Sequence, residues 1–268
     1  IKYAFDKLLE ILIHIIEYYV SLVHQKEDTL IIRKELFSII TSDKSQHERF
    51  NIGNSWSKIS LKDIQVVFKK ENSTREIIIP EFEISRGSKI GIIGESGAGK
   101  TSIFNVILNA IDFKGGYFID DQSAKGLEFN RESISLITSN DPLFNISLRE
   151  NILLGKDISA EKIARVLNGV RAKDFISSLE EKRGDSDFNL SAGQEQRIRL
   201  ARGLLQDSEI YLLDEPFNGL DSQNKTQIMK FMSELLKDRT VVLVTHNPEE
   251  LKFIDKLYKF EDSELKRI

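Results

Sequence analysis

The chain of 268 residues has no cysteine, and only four histidines and four prolines. The lack of cysteine excludes disulfide bonds, thiolate metal sites and cysteine nucleophiles. A metal site built from several histidines would need most of the four, which are scattered along the chain: His14, His24, His47 and His246. An excess of basic charge is also lacking, since 38 basic and 42 acidic residues give a net charge of −4, which argues against a dedicated nucleic-acid binder.

Long hydrophobic runs are absent as well. Asp6, Lys7, Glu10 and Glu17 interrupt the apolar residues at the start, so no uncharged span of about 20 residues exists and no signal peptide is indicated. Because the chain starts at Ile1 without a methionine, we expect a fragment, a processed product or a trimmed chain. Hydrophobic residues at 40% and charged residues at 30% are typical of folded domains.

Residues 1–40 are predicted to form an amphipathic helix. Its polar residues recur every three or four positions and form one stripe: Asp6, Glu10, His14, Glu17, Ser21, His24 and Asp28. The wide apolar arc that remains needs a large partner surface, in the same domain, in another protein or in lipid. Residues 41–57 are polar and aperiodic, which is typical of a linker.

From residue 58 onwards the pattern indicates an α/β fold. Alternating or continuous apolar residues predict strands over Ile59–Phe68, Ile77–Ile84, Lys89–Ile93, Ile134–Ile137, Ile210–Leu213 and Val241–Val244. Helical spacing covers Ile103–Ile111, most of residues 147–180 and the segment around Ile228–Leu235. Because strands come first and strands and helices alternate afterwards, we expect an antiparallel addition in front of a parallel sheet.

One segment after a predicted strand matches the phosphate-binding loop G-x-x-x-x-G-K-[ST] without deviation: Gly94, Glu95, Ser96, Gly97, Ala98, Gly99, Lys100 and Thr101, followed by Ser102. The glycines let backbone amides converge on phosphate oxygens, and the helix that follows adds its positive end. We expect Lys100 to contact the β and γ phosphates and the Thr101 hydroxyl to bind Mg²⁺. The alternative is a glycine-rich turn between a strand and a helix.

Two acids, Asp214 and Glu215, end the apolar run Ile210–Leu213. The carboxyl end of a buried strand is where ligands bind in an open α/β sheet. Asp214 can hold the water shell of Mg²⁺, and Glu215 can polarise an attacking water. Taken alone, such a pair is also a common cap at a protein surface.

A third motif decides between the many proteins that share these two elements. Leu190, Ser191, Ala192, Gly193 and Gln194, with the helical run that follows them, closely resemble the LSGGQ signature of ABC ATPases. The segment from Asp214 to Asp221 resembles that family's Walker B motif and D-loop, and Thr245-His246 resembles its switch histidine. The resemblance covers about residues 58–262. It implies a P-loop NTPase (RecA-like) core with an N-terminal antiparallel β subdomain and an inserted α-helical subdomain.

The resemblance also implies roles for single residues. Phe68 takes the place of the aromatic residue that stacks on adenine, with Trp56 as a weaker candidate. Ser191 and Gly193 would reach the γ-phosphate bound to the opposite protomer, and His246 would contact the same γ-phosphate. Asp221 would organise the dimer interface, so that two ATP molecules sit between two nucleotide-binding domains.

The sequence departs from the family pattern at two positions. Ser139 stands where a glutamine that contacts Mg²⁺ is expected, although a shift of one residue would give that role to Asn140. Ala192 replaces the first glycine of the signature. Ser139 can therefore serve only as a weak Mg²⁺ contact, through a bridging water.

The segment Ser147–Ile152 resembles exporter-type ABC proteins, in which a transmembrane domain precedes the nucleotide-binding domain on the same chain. This implies the cytoplasmic end of the last transmembrane helix at residues 1–40 and an ATPase domain at residues 58–268, with its helical subdomain at about residues 141–193. We expect a second nucleotide-binding domain and a transmembrane domain as partners, no nucleic acid, and a place on the cytoplasmic side of a bacterial cell membrane. The alternatives are a soluble ABC ATPase and a regulatory module that binds ATP but hydrolyses it poorly.

Overall fold

The fold was analysed in a computed structural model, which describes residues 49–50, 56–70, 73–95, 97–125, 128–129, 133–144, 147–173, 175 and 190–268. These belong to one compact unit of residues 48–268. The predicted helix of residues 1–40, most of the predicted linker and Ser96 lie outside the described residues. None of the helices in the described ranges has the length and apolar character needed to cross a bilayer.

Strands and helices follow each other as the α/β pattern predicts. The strands are β1 (Arg49–Phe50), β2 (Lys58–Lys70), β3 (Ser73–Ser85), β4 (Lys89–Gly94), β5 (Lys114–Ile119), β6 (Gln122–Ser123), β7 (Glu128–Phe129), β8 (Ile134–Thr138), β9 (Ile210–Asp214), β10 (Thr240–Val244), β11 (Lys256–Glu261) and β12 (Glu264–Arg267). The helices are α1 (Lys100–Ile107), α2 (Leu148–Leu153), α3 (Ala160–Gly169), α4 (Ala192–Leu204) and α5 (Ser222–Leu235), with a 3₁₀ turn at Pro248–Leu251.

Ten strands form one sheet in the order β6-β5-β2-β3-β12-β11-β4-β10-β9-β8. The half from β11 to β8 is parallel, whereas β3, β2, β5 and β6 pair with one another in antiparallel fashion. Between the two halves, β12 is antiparallel to β11 and parallel to β3. The apolar runs of β9 and β10 are buried from Ile210 to Leu213 and from Thr240 to Val244, since the sheet is covered on both faces there. The predicted α/β fold with an antiparallel addition is confirmed.

Two predicted helices differ in extent from those in the structure. The helix expected over Ile103–Ile111 begins three residues earlier, at Lys100, and ends at Ile107. The helical pattern of residues 147–180 is broken after Leu153, because Leu154 and Gly155 adopt left-handed backbone angles, with φ of 47° and 78°. Apolar spacing alone could not locate these ends, since they depend on single backbone torsions.

The segment after β8 is fastened to helix α4 by a buried arginine. Arg202 is 9% exposed and donates from Nη1 to the Pro142 carbonyl oxygen at 3.0 Å. It also donates from Nε to the carbonyl oxygen of Asn151 at 2.8 Å and from Nη2 to the Asn151 side chain at 2.9 Å. One guanidinium therefore joins α4, α2 and the loop that leads from β8 into the helical region.

Arg202→Met should lower the free energy of unfolding by about 2–3 kcal/mol, because buried carbonyl oxygens lose a charged donor and the apolar side chain offers none. Urea unfolding of the chain measures this loss. The control is Arg165→Met on an exposed position of α3, where a change within about 0.5 kcal/mol is expected. Equal midpoints for the two variants would show that the Arg202 contacts add nothing to stability.

Candidate nucleotide-binding site

A cleft of about 970 Å³ opens at the carboxyl ends of β4, β8, β9 and β10. Its lining includes most of the residues that the sequence analysis assigns to nucleotide binding and hydrolysis: Phe68, Gly94, Glu95, Gly97, Gly99, Lys100, Thr101, Ser102, Ser139, Asp214, Glu215 and His246. Asn140 lines it too, so both candidates for the missing glutamine reach the cleft. Ala98 packs against the hydrophobic core instead.

The phosphate-binding loop has a shape that only glycines permit at two positions. Gly97 and Gly99 have φ angles of 78° and 109°, and a Cβ atom at Gly99 would lie 2.5 Å from Cδ1 of Ile77. Lys100 is buried and donates from Nζ to the carbonyl oxygens of Gly94 and Glu95, at 2.9 and 2.8 Å. The lysine thus bridges the mouth of the loop. Among the described residues no side chain caps the start of α1 at Gly99, and the Ser102 amide donates to the Gly99 carbonyl oxygen at 3.0 Å. The positive end of this helix would attract an anion.

Thr101 and Asp214 meet on one side of this loop. The Thr101 hydroxyl donates to Oδ2 of Asp214 at 2.7 Å. Burial raises the pKa of Asp214 above its usual range, although the bond from Thr101 opposes this shift. A hydroxyl and a carboxylate are the oxygen ligands that Mg²⁺ takes when phosphates supply the rest of its shell. The hydroxyl of Thr101 and the carboxylate of Asp214 would therefore fit Mg²⁺ brought by a nucleotide. In the described part of the chain there is no cluster of three acidic or histidine side chains that could hold a metal ion.

Glu215, the residue after Asp214, forms a pair with His246, with 2.6 Å between Oε2 and Nδ1. Glu215 has a φ of 50°, in the left-handed region that is uncommon for a residue other than glycine. Its backbone amide donates to the Val244 carbonyl oxygen at 2.9 Å, which holds this turn against β10. The sharp turn directs the carboxylate into the cleft beside Asp214 instead of continuing the strand.

The outer end of the cleft is built by the β2–β3 hairpin. Phe68 pairs in register with Arg75, and both line the cleft together with Ile77. Trp56 is 3% exposed and lies in the core, so it does not compete with Phe68 for a base. Arg75, Ile77 and Asn218 also line the cleft and were not predicted. The pairing of β3 with β2 would have indicated Arg75 and Ile77, since cross-strand partners share a face.

The signature residues lie at the start of helix α4 and not at the cleft. Among the described residues that line it, none belongs to the segment Leu190–Gln194. The Ser191 hydroxyl accepts from the Gln194 amide at 3.3 Å, and the Gln194 side chain accepts from the Ser191 amide at 2.8 Å, which makes a capping box. A Cβ atom at Gly193 would lie 2.8 Å from the Gly219 carbonyl oxygen, so the signature packs closely against the segment before Asp221.

Asp221 caps the next helix. Its Oδ1 accepts from the Asn224 amide at 2.9 Å, at the start of α5. These bonds from Asn224 lower the pKa of Asp221, which is fully exposed. The start of α4, the turn at Gly219 and Asp221 thus form a contiguous surface.

Comparison with known proteins agrees with this geometry. Residues 79–218 match the ABC transporter family, and the chain belongs to this family. It is 32% identical over 265 residues to the lacticin-481/lactococcin-DR transport/processing ATP-binding protein of Lactococcus lactis subsp. lactis, which covers 93% of this chain and 37% of that protein. It is 28% identical over 238 residues to the ATP-dependent lipid A-core flippase of Vibrio parahaemolyticus, covering 85% of this chain and 40% of that protein.

A solved structure of an ABC exporter is also similar to this chain. The bacterial Atm1-family ABC exporter with ATP bound matches with a TM-score of 0.69 and 26% identity, over 88% of this chain and 43% of that one. The chain is an ABC transporter ATP-binding domain of the exporter type, with the P-loop NTPase fold. It spans less than half the length of these relatives.

Asp214→Asn should stabilise the domain in the absence of nucleotide and metal. Because burial raises the folded-state pKa of Asp214, the ionised carboxylate costs stability at neutral pH. We expect the variant to melt higher than the wild type by about a few degrees at pH 7. The gain should vanish below about pH 4, where the carboxyl group is protonated in both folded and unfolded chains. Thermal unfolding across this pH range measures the difference.

Asp221→Asn serves as the matched control, because this acid is exposed and its pKa is lowered, not raised. Asparagine caps helices about as well as aspartate, and a lowered pKa gives no cost of ionisation to relieve, so no gain in melting temperature is expected. A lower melting temperature for Asp214→Asn at pH 7 would mean that the Thr101 bond outweighs the cost of burying the charge.

Proposed function

We propose that this domain closes with a second nucleotide-binding domain around two Mg²⁺-bound ATP molecules and hydrolyses them to drive export through a transmembrane domain. The observation that carries the proposal is the division of functional groups. Lys100, Asp214, Glu215 and His246 line one cleft, whereas the signature at Ser191 lies away from it. A second domain that presents its own signature would complete each site.

Within one cleft we assign the nucleotide as follows. Phe68 stacks on adenine at the outer end, and the loop from Gly94 to Thr101, with Ser96 and Ala98 in its backbone, wraps the phosphates together with Ser102. Lys100 exchanges its two carbonyl partners for phosphate oxygens, which are stronger acceptors for a cation. Thr101 would hold Mg²⁺ directly and Asp214 would hold it through water, and the bound ion would neutralise charge on the phosphates.

For hydrolysis we assign the base to Glu215. Its carboxylate reaches into the cleft and accepts the proton of the attacking water. His246, which contacts Glu215 at 2.6 Å, orients that carboxylate and reaches the γ-phosphate. Ser139 lines the cleft with a shorter side chain than glutamine, so its contact with Mg²⁺ would run through a water.

The partner supplies the remaining groups in this proposal. The Ser191 hydroxyl accepts from a backbone amide and keeps its own proton for a phosphate oxygen. The positive end of α4 would face the same phosphate. Leu190, Ala192, Gly193 and Gln194 shape this end, and Asp221 lies beside it at the interface. The second domain is a second copy of this chain or a related one.

The wider arrangement follows the relatives, whose greater length leaves room for further domains. We propose that residues 1–40 are the cytoplasmic end of the last transmembrane helix, that residues 41–57 link it to the ATPase domain of residues 58–268, and that residues 141–193 form the helical subdomain. The protein would then lie on the cytoplasmic side of a bacterial cell membrane.

Glu215→Gln should keep ATP binding and lower turnover by about 10²-fold or more, because the amide fills the same space but accepts no proton. Bound ATP should then hold two domains together, so size-exclusion chromatography with Mg²⁺ and ATP should show a larger species than for the wild type. Glu234→Gln on an exposed position of α5 is the control and should behave as the wild type. Lys100→Ala should lose ATP binding itself. Turnover above about a tenth of the wild-type rate in Glu215→Gln would remove Glu215 as the base.

One observation favours a second candidate function, a regulatory module that binds ATP and hydrolyses it slowly. Ser139 and Asn140 both line the cleft, yet serine is too short to ligate Mg²⁺ directly and to position the attacking water. A steady-state ATPase assay separates a slow module from an efficient motor.

Ser139→Gln should raise ATP turnover several-fold and change ATP affinity by less than about threefold, equal to about 0.7 kcal/mol. The longer amide would position water, whereas the other groups already hold the nucleotide. The measurement is single-turnover hydrolysis on preformed dimers, which removes slow assembly from the rate. Asn140→Ala is the companion variant. If Ser139→Gln gains nothing and Asn140→Ala loses activity, Asn140 fills the position of the missing glutamine.

A further inference from the structure

A buried carboxylate sits behind the His246 turn and outside the cleft. Glu250 belongs to the 3₁₀ turn Pro248–Leu251 and is 5% exposed. Its Oε1 lies 2.6 Å from Nζ of Lys225, and its Oε2 accepts from the Thr245 hydroxyl at 2.6 Å. Both oxygens of a single carboxylate are therefore engaged, one by a cation and one by the residue that precedes His246.

The bond from Thr245 fixes the backbone on both sides of His246. Because the hydroxyl proton points to Glu250, a lone pair of the same oxygen accepts from the Asn247 amide at 3.0 Å. The Thr245 amide itself donates to the Ile92 carbonyl oxygen at 3.1 Å, at the end of β4. His246 has a 62% exposed side chain, so its backbone anchors set where its ring can reach.

Lys225 connects this turn to the helix that Asp221 begins. It lies in the first turn of α5, and its amide donates to the Asp221 carbonyl oxygen at 2.9 Å. Its side chain is 15% exposed, so the ion pair with Glu250 is largely shielded from water and little weakened by salt. A chain of contacts thus runs from the Asp221 end of α5 through Lys225, Glu250 and Thr245 to His246.

We propose that Glu250 is a positioning residue for ATP hydrolysis. It holds the Thr245–His246 turn and couples the position of this turn to helix α5. The proposal rests on the role proposed for His246. Glu250 does not line the cleft and acts through the position of the His246 imidazole beside Glu215. Small displacements of such a group cost large factors in rate while substrate binding elsewhere in the cleft stays unchanged.

Stability alone does not account for this arrangement. Replacing both members of a buried ion pair by neutral groups is often harmless to folding, whereas removing one member leaves a buried charge without its partner. The double variant Lys225→Met/Glu250→Gln therefore removes both charges and leaves the turn free of an unpaired ion. If the link to His246 matters, this variant should be folded and still slow.

The experiment is a double-mutant cycle on the 268-residue chain. Glu250→Gln should lower single-turnover ATP hydrolysis by about 10- to 100-fold while the ATP concentration for half-saturation changes by less than about threefold. In the His246→Ala background the same change should cost less than about twofold, because the group that it positions is gone. Glu249→Gln, an exposed neighbour in the same turn, is the control and should retain the wild-type rate.

Each outcome bears on the proposal. The proposal for Glu250 is overturned if the rate losses of Glu250→Gln and His246→Ala multiply in the double variant, or if Glu250→Gln keeps the wild-type rate. In both cases the proposed role of His246 is unaffected. A wild-type rate for His246→Ala overturns both this proposal and the proposed role of His246. If Glu250→Gln fails to fold, Thr245→Val removes the hydroxyl donor with its shape kept, and the double variant removes both charges. Either one should then show the same slow rate and the same dependence on His246.

Discussion

The register of three buried parallel strands sets the spacing of the chemical groups. Val244 of β10 lies opposite Ile92 of β4 on one side and Asp214 of β9 on the other. The residues that follow this row leave the sheet at the same edge. They are the phosphate-binding loop, Glu215 and the turn of His246. Main-chain hydrogen bonds fix this register. The phosphate-binding loop, Glu215 and the His246 turn therefore lie close together even without contacts between their side chains.

Charged side chains gather at this edge of the sheet, and in the domain without ligand they lower the stability of the fold. Burial disfavours the ionised form of Asp214, and Glu215 stands beside it. Lys100 neutralises part of this charge, but its ammonium group donates hydrogen bonds to carbonyl oxygens of the loop itself. A ligand that brings both anionic phosphates and a divalent cation satisfies the lysine and the acids together. Binding of such a ligand to the folded chain alone therefore stabilises it by mass action.

Local patterns in the sequence predicted those parts of the fold and the cleft that depend on neighbours along the chain. The phosphate-binding loop and the acids after β9 are of this kind, because each needs only a strand or helix end and the residues next to it. The ends of α1 and α2 escaped prediction, since left-handed torsions such as that of Leu154 leave no mark in apolar spacing. Arg75 escaped because its place depends on the register of a hairpin.

Glu250 shows a further limit of the same kind. In the sequence it is one acid of a pair, next to Glu249, and nothing in their spacing separates them. The fold buries one and exposes the other, because the 3₁₀ turn directs successive side chains to different sides. Only the buried one meets Lys225, which comes from another helix, and Thr245. Long-range pairings of this kind are set by packing, and a single sequence does not display them.

The separation of the signature from the cleft has a physical reason within one domain. Gly193 approaches the Gly219 carbonyl oxygen so closely that α4 is held against the turn before Asp221, away from the phosphate-binding loop. The backbone of one chain therefore does not bring Ser191 to a phosphate held by its own Lys100. The same surface that carries Ser191 carries Asp221, the N-terminal cap of the helix that reaches Glu250 through Lys225. A partner that docks on this surface would contact the start of α5, which is connected to His246 through Lys225, Glu250 and Thr245. In this proposal, assembly and hydrolysis are therefore linked through a few side-chain contacts.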